Sequence, residues 1–239
     1  MIQESERIVV FTGAGISTES GISDYRSKGG LWKRFQPVTI QEFLASEQKR
    51  RDYWEYKFEF MKQLRTAKPN PAHDAIVRLE KSGKLKGIIT QNIDGLHQAA
   101  GNSPDLIWEI HGTSRETKCL ECGDIRDWLE AVERIESGDK IPLCKKCGGL
   151  IKPNTISFGQ MLNPKVLHQS QILADTCDLM IVIGSTLVVE PAASLPRLAK
   201  NAGARLVILT MSETPLDVWA DLKIEAPAGA LLKELSEKL

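Results

Sequence analysis

Short, continuous apolar runs recur along the chain, each stopped by glycine or small polar residues. Ile8-Val9-Val10-Phe11 runs into Gly13-Ala14-Gly15, and Leu85 to Thr90 into Gln91-Asn92-Ile93-Asp94. Leu179 to Ile183 stops at Gly184-Ser185-Thr186, and Arg205 to Leu209 at Thr210-Met211-Ser212. Runs of this length without alternation predict strands covered on both faces. Ile107 to Ile110 predicts a shorter strand ending at His111-Gly112. Between the runs lie stretches with helical spacing. One extends from about Ile40 to Leu64 and is closed by Lys68-Pro69-Asn70-Pro71; another extends from near Ala72 to Ser82-Gly83; a third carries Ala192, Ala193, Leu195 and Leu198 and ends at Asn201-Ala202-Gly203. Alternating buried strands and helices predict an α/β fold, a Rossmann-like parallel sheet with helices on both faces. Such sheets bind ligands outside the carboxyl ends of their strands, where all the polar stops fall.

Length and composition narrow the partners. A chain of 239 residues accommodates one large domain, or a main domain with an insertion, and 42% hydrophobic residues suffice for a full core. Lys plus Arg and Asp plus Glu both number 31, so no basic excess points to nucleic acid. The first residues, MIQESERIVV, lack the basic and apolar regions of an export signal, and no segment approaches a membrane span; the expectation is a cytoplasmic protein without membrane attachment.

Five cysteines are odd for a disulfide framework, and four of them form two Cys-x-x-Cys knuckles, Cys119/Cys122 and Cys144/Cys147, separated by 21 residues. Four thiolates close tetrahedrally around zinc at about 2.3 Å each and leave no position open for catalytic water, so the ion would be structural. A redox pair and a nucleic-acid ribbon are the alternatives; the mixture of Lys118, Lys145 and Lys146 with Glu116, Glu121 and Asp124 speaks against the second. Cys177, next to an apolar run, reads as a small buried hydrophobe.

A strand that stops in glycines suits a phosphate, because glycine lets backbone N–H groups come close and a following helix turns its positive end to the anion. A tight turn with no ligand explains a bare Gly-x-Gly equally well. A dehydrogenase fingerprint is incomplete here: Thr18 stands where its third glycine belongs, and Trp32 to Pro37 offers neither a second strand nor the carboxylate that would hold a ribose. Hydride transfer is therefore disfavoured. Gln91-Asn92-Ile93-Asp94 and His111 are the candidates for catalysis, although each alone also reads as a turn cap or a core histidine.

Taken together, GAGISTESGISDYRS (13–27), TQNIDGLHQAAG (90–101), HGT (111–113), the knuckles, Ile151-Lys152-Pro153-Asn154 followed by Ser157-Phe158-Gly159-Gln160, and IGSTLVVEPAA (183–193) resemble the sirtuins, the NAD-dependent protein-lysine deacylases. The resemblance implies an NAD-binding domain from residues 1–28, 73–112 and 158–239. It also implies a small lobe built of a helical module, 29–72, and a zinc ribbon, 113–157. It implies that Gly13, Ala14, Gly15 and Ser17 line the dinucleotide under a loop carrying Asp24, Tyr25 and Arg26. Gln91, Asn92, Ile93 and Asp94 would surround the nicotinamide and its ribose, with Asn92 and His111 catalytic and His111 the general base on a ribose hydroxyl. Gly184, Ser185 and Thr186 would hold phosphate and adenosine ribose, and Thr210, Met211, Ser212 and Ala228 the adenosine end. Phe158, Gly159 and Gln160 would flank the acyl-lysine substrate as one strand, and Val188, Val189 and Glu190 as another. The products would be free lysine, nicotinamide and O-acyl-ADP-ribose.

The sequence also departs from the family. Ser23 replaces a usual proline, Tyr25 a frequent Phe, and Thr210 a usual asparagine. Where members preferring acidic acyl groups carry a Tyr-x-x-Arg pair, this chain aligns Trp54 and Lys57, which weakens that preference because lysine lacks arginine's bidentate fork. Large apolar residues in the same helix favour longer acyl chains. Two other readings stay open: ADP-ribosyl transfer to protein, and a non-catalytic NAD or zinc-ribbon interaction module.

Overall fold

The computed structural model describes residues 1–24 and 35–236; Tyr25, Arg26 and the loop expected to close over a ligand lie outside the described residues. The first strand, β1 (Ile8–Thr12), is buried at every position. The helix that follows it, Ala14–Ser20, is a 3-10 helix, and Gly21 closes it in the left-handed region at φ +83°. The single helical pattern predicted from Ile40 is two helices, α1 (Ile40–Ala45) and α2 (Glu47–Thr66). Ser46 separates them by capping the second, its hydroxyl accepting from the Lys49 N–H. Asn70 caps α3 (Pro71–Lys81) in the same way. Then come β2 (Leu85–Thr90), α4 (Leu96–Ala100) and β3 (Ile107–Glu109).

The cysteine-bearing segment forms β4 (Gly112–Cys119), β5 (Ile125–Asp127), α5 (Trp128–Glu136) and β6 (Ile151–Thr155). The chain ends with α6 (Pro164–Thr176), β7 (Leu179–Ile183), α7 (Leu195–Asn201), β8 (Arg205–Leu209), β9 (Leu222–Ile224) and α8 (Ala228–Ser236).

Six parallel strands make the main sheet in the order β3-β2-β1-β7-β8-β9. The sheet grows one way from β1 to β3 and the other way from β7 to β9, so its switch point lies between β1 and β7. The register sets Thr12 beside both Thr90 and Ile183, which brings three polar loops to one level above that point. Successive side chains of β1 enter opposite layers, as the period of a strand requires. Val9 and Phe11 pack with Met180, Leu206 and Ile208 under α6 and α7, while Ile8 and Val10 pack with Ile88 and Leu179 under α3.

A second sheet, β5-β4-β6, is antiparallel. Its α5 shares one apolar cluster with α1 and α2: Phe43, Tyr53, Trp54, Phe60 and Leu64 meet Trp128 and Val132, and Ile93 and Leu96 join them from the main sheet's loops. Trp54 is 1% exposed within that cluster and does not line the cleft, which corrects its assignment to substrate binding. One helical position rotates a side chain by about 100°, enough to turn Trp54 into the core while its neighbours Tyr53, Tyr56 and Lys57 face the cleft.

Replacing Trp54 by Ala should therefore destabilise the chain by about 3–5 kcal/mol, read from the urea midpoint. A loss below about 1 kcal/mol would contradict the core placement.

Candidate active site

A cleft of about 1070 Å³ runs along the carboxyl ends of β1, β2, β7 and β8 and on to the end of β6. That volume lies at the upper end of the usual range for small-molecule sites and suits a dinucleotide together with an extended chain.

At its floor the loops after β1 and β7 cross backbone to backbone. The Gly13 N–H donates to the Ile183 carbonyl at 3.0 Å and the Gly15 N–H to that of Gly184 at 2.8 Å. A Cβ on Gly15 would stand 2.7 Å from Gly184 Cα, and one on Gly184 2.3 Å from Ile16 N, with Gly184 at φ +65°. The glycines are thus required by the crossing itself, and the N–H groups of Gly13 and Gly15, which sequence reasoning aimed at a phosphate, are already bonded to the β7 loop.

The turn after β2 rests on this crossing through side chains. Gln91 Nε2 donates to Ser185 Oγ at 2.7 Å, and Asn92 Nδ2 to Ser17 Oγ at 3.2 Å. Ser17 Oγ in turn donates to Asp94 Oδ2 at 2.8 Å, and the Leu96 N–H to Asp94 Oδ1 at 2.9 Å. Asp94 is 4% exposed, and burial pushes its carboxyl up against the pull of these bonds. Beneath the turn, Thr90 Oγ1 accepts from Thr12 Oγ1 at 2.8 Å and from the Asn92 N–H at 3.0 Å. Ser17 and Asp94 consequently lie just behind the cleft wall and brace Asn92, while Gln91, Asn92 and Ile93 line the cleft.

His111 stands across from that turn. Its Nδ1 lies 3.2 Å from the Gln91 carbonyl oxygen, which can only accept, so Nδ1 carries the proton and Nε2 keeps its lone pair. Burial lowers the imidazole's pKa below the ordinary 6.5, and the bond to Gln91 opposes this only in part. The ring is therefore biased toward its neutral form, with Nε2 open to accept a proton. Its own carbonyl accepts from the Ile156 N–H at 2.8 Å, tying it to the segment that leads to Phe158.

The rest of the cleft falls in three places. Ala14, Asp24, Ser185 and Thr186 extend the floor, and Thr210, Met211, Ser212 and Ala228 close one end. Phe158, Gly159 and Gln160, with Val189 and Glu190, stand at the mouth; both segments are turns and bends, not strands, and Val188 points outward, 52% exposed. Lys57 enters from α2.

The four knuckle sulfurs lie within 4.8 Å of one another, with Cys119 Sγ 3.5 Å from Cys147 Sγ and Cys122 Sγ 3.7 Å from Cys144 Sγ. A tetrahedron with 2.3 Å bonds has edges of about 3.8 Å, so the set fits a closed structural zinc.

A family model described as Sir2 family matches residues 13–191. The chain belongs to the Sir2 family. An NAD-dependent protein deacetylase of Thermodesulfovibrio yellowstonii is 45% identical over 235 residues, covering 98% of this chain and 91% of that one. An NAD-dependent protein deacylase of Archaeoglobus fulgidus is 42% identical and is covered to 93%. Among solved structures, a Sir2 variant with deacetylated p53 peptide and 3′-O-acetyl ADP-ribose superposes with a TM-score of 0.92 at 36% identity, covering 99% of this chain and 95% of that one. A Sir2 complex with p53 peptide and NAD+ does so with a TM-score of 0.88 at 35% identity, covering 99% and 95%.

Sequence reasoning about this Sir2 member missed Tyr53, Tyr56, Val38 and Thr155, all on the cleft wall. Tyr53, Tyr56 and Lys57 share the spacing of one helical face, and that spacing was the available signal.

A base at His111 would make kcat/KM rise with pH through a midpoint below 6.5 and stay level above it, because only the neutral imidazole accepts a proton. A pH–rate profile with its acidic midpoint above 7, or none attributable to His111, would contradict the assignment.

Proposed function

We propose that this chain is an NAD-dependent protein-lysine deacylase, with acetyl-lysine its simplest substrate. The observation that carries the reading is the locked tautomer of His111, which leaves a basic nitrogen in a cleft that also holds the glycine crossing and the substrate-side turn at Phe158. The relatives' activities and the Sir2 complexes with NAD+ and peptide support it.

The residues divide the work by what each can do. The crossing of Gly13 to Gly15 with Gly184 and Ser185 leaves a floor of backbone and small side chains, on which a dinucleotide rests closely. Gln91 and Asn92, braced by Ser185 and by Ser17, fix the end nearest His111. NAD supplies an electrophilic ribose carbon as nicotinamide departs. Ile93, Val38 and Phe158 keep water from that end, so that the acyl oxygen is the nucleophile within reach. His111 takes the proton from a ribose hydroxyl, which attacks the acyl carbon; lysine then leaves as the amine, and one water admitted after nicotinamide has gone supplies the oxygen that completes the O-acyl ester. The products are free lysine, nicotinamide and O-acyl-ADP-ribose, which makes the enzyme an acyl transferase to ADP-ribose.

Segments 29–72 and 113–157 act as one small lobe beside the cleft, supported by the apolar cluster that Phe43 and Trp54 share with Trp128 and Val132. Cys119, Cys122, Cys144 and Cys147 hold its zinc. No helix among the described residues is long and apolar enough to cross a membrane. A reducing cytoplasm suits four free thiols gathered for a metal.

Incubation with an acetylated peptide and NAD, followed by mass spectrometry, tests the reading. It predicts NAD-dependent loss of the acetyl mass with one nicotinamide per lysine, and for His111→Ala a fall of about 100-fold or more while NAD still binds. ADP-ribosyl mass on protein without deacylation, or wild-type turnover in His111→Ala, would overturn it.

A further inference from the structure

Beneath the cleft floor lie two buried histidines that the proposed chemistry does not use, His73 on α3 and His97 on α4. Their ring centroids stand 5.2 Å apart, with the planes tilted by 58°. Each ring has one hydrogen-bond partner: His73 Nδ1 accepts from the Asn70 N–H at 3.3 Å, and His97 Nε2 lies 3.0 Å from Thr12 Oγ1. The other nitrogen of each, His73 Nε2 and His97 Nδ1, is buried with no partner among the described residues. Two orphaned polar atoms on neighbouring rings are costly unless they satisfy each other.

The existing bonds decide where the protons sit. A backbone N–H can only donate, so His73 Nδ1 holds a lone pair and the neutral ring carries its proton on Nε2. The Thr12 hydroxyl gives its one proton to Thr90 Oγ1, so it can only accept from His97, whose proton is therefore on Nε2. One ring is left with a spare N–H and the other with a spare lone pair, at about the separation that two imidazoles sharing a hydrogen bond require. Both rings are held neutral: burial pushes His73 down to about 4, and burial together with His73 pushes His97 down to about 3.

We propose that His73 and His97 are positioning residues for the deacylase reaction, joined by a hydrogen bond from His73 Nε2 to His97 Nδ1 that completes one chain from the cap of α3 to Asn92. This deepens the deacylase reading and rests on it. At one end of the chain Asn70 Nδ2 donates to the Ile16 carbonyl at 2.7 Å and to Ser20 Oγ at 2.9 Å, which anchors the chain on the 3-10 helix after the glycines. At the other end Thr90 Oγ1 accepts from Thr12 and from the Asn92 N–H. The two imidazoles thus set the glycine loop and the Asn92 turn relative to each other from below, by a route separate from the bonds through Ser17 and Ser185. A second proton on either ring would set donor against donor, so the arrangement needs neutral rings kept from water.

Two measurements test the proposal. In 15N-labelled wild type at pH 7, two-bond 1H–15N correlation spectra should show His73 and His97 each protonated on Nε2 alone, with the rings assigned through their own backbone signals. A proton on Nδ1 of either ring overturns the inference, and this arm needs no variant that folds. The second measurement compares His97→Phe, which fills the space without bonding, with His97→Gln, whose terminal amide nitrogen can still donate to Thr12. In His97→Phe, kcat on an acetyl-lysine peptide should fall about five- to tenfold while the KM for NAD changes less than about twofold, because Asn92 is loosened and the glycine crossing is not; His97→Gln should recover most of the loss. A histidine that only fills space predicts the reverse order, with Phe the better substitute. That order, or wild-type kcat in His97→Phe, overturns the inference alone. No NAD-dependent turnover by the wild type overturns the deacylase reading and the inference with it.

Discussion

Backbone packs directly on backbone where the loop after β1 passes the loop after β7, and the site is built outward from that contact. The hydrogen bonds from Gly13 and Gly15 to Ile183 and Gly184 fix the two loops at the level where the parallel strands end. Side chains then carry the fixed geometry sideways, from Ser185 to Gln91 and from Ser17 to Asn92 and Asp94. The Gln91 carbonyl passes it on to the imidazole of His111. A shift at the crossing would therefore reach the His111 imidazole through hydrogen bonds of ordinary length.

The second sheet contributes in a different way. Its own core is small, and among the described residues it is held by the cysteine tetrad and by the cluster that joins α1, α2 and α5. A metal bound by the four thiolates would add to the stability of this unit. The same cluster aims α2, and so decides that Tyr53, Tyr56 and Lys57 face the cleft while Trp54 does not. That wall of the cleft is thus set by packing remote from His111.

Much of this was legible in the sequence, and for physical reasons. Strands such as Ile8–Thr12 and Leu179–Ile183 are buried on both faces and so read as unbroken apolar runs, each with a glycine or polar stop. The cysteine spacing pointed to a tetrahedral site. What was not legible is what depends on rotation or on distant partners. Helical periodicity did not settle which of Tyr53 and Trp54 faces the cleft, since one residue's rotation separates core from wall. The helix α6 and the short strand β9 carry too weak a pattern to stand out, their apolar positions being interrupted by Lys165, His168 and Lys223. The bonding of the glycine N–H groups to the β7 loop followed from a partner about 170 residues away, beyond the reach of local motif reasoning.

The most direct test of the account is the affinity of Gly184→Ala for NAD, measured by titration calorimetry. A Cβ at residue 184 would lie 2.3 Å from Ile16 N on a backbone already at φ +65°, so the loops must part. The account predicts that Kd rises by about tenfold or more, the consequence of about 1–2 kcal/mol of left-handed strain together with the steric displacement. A wild-type Kd in a variant of unchanged stability would show that the crossing does not shape the site.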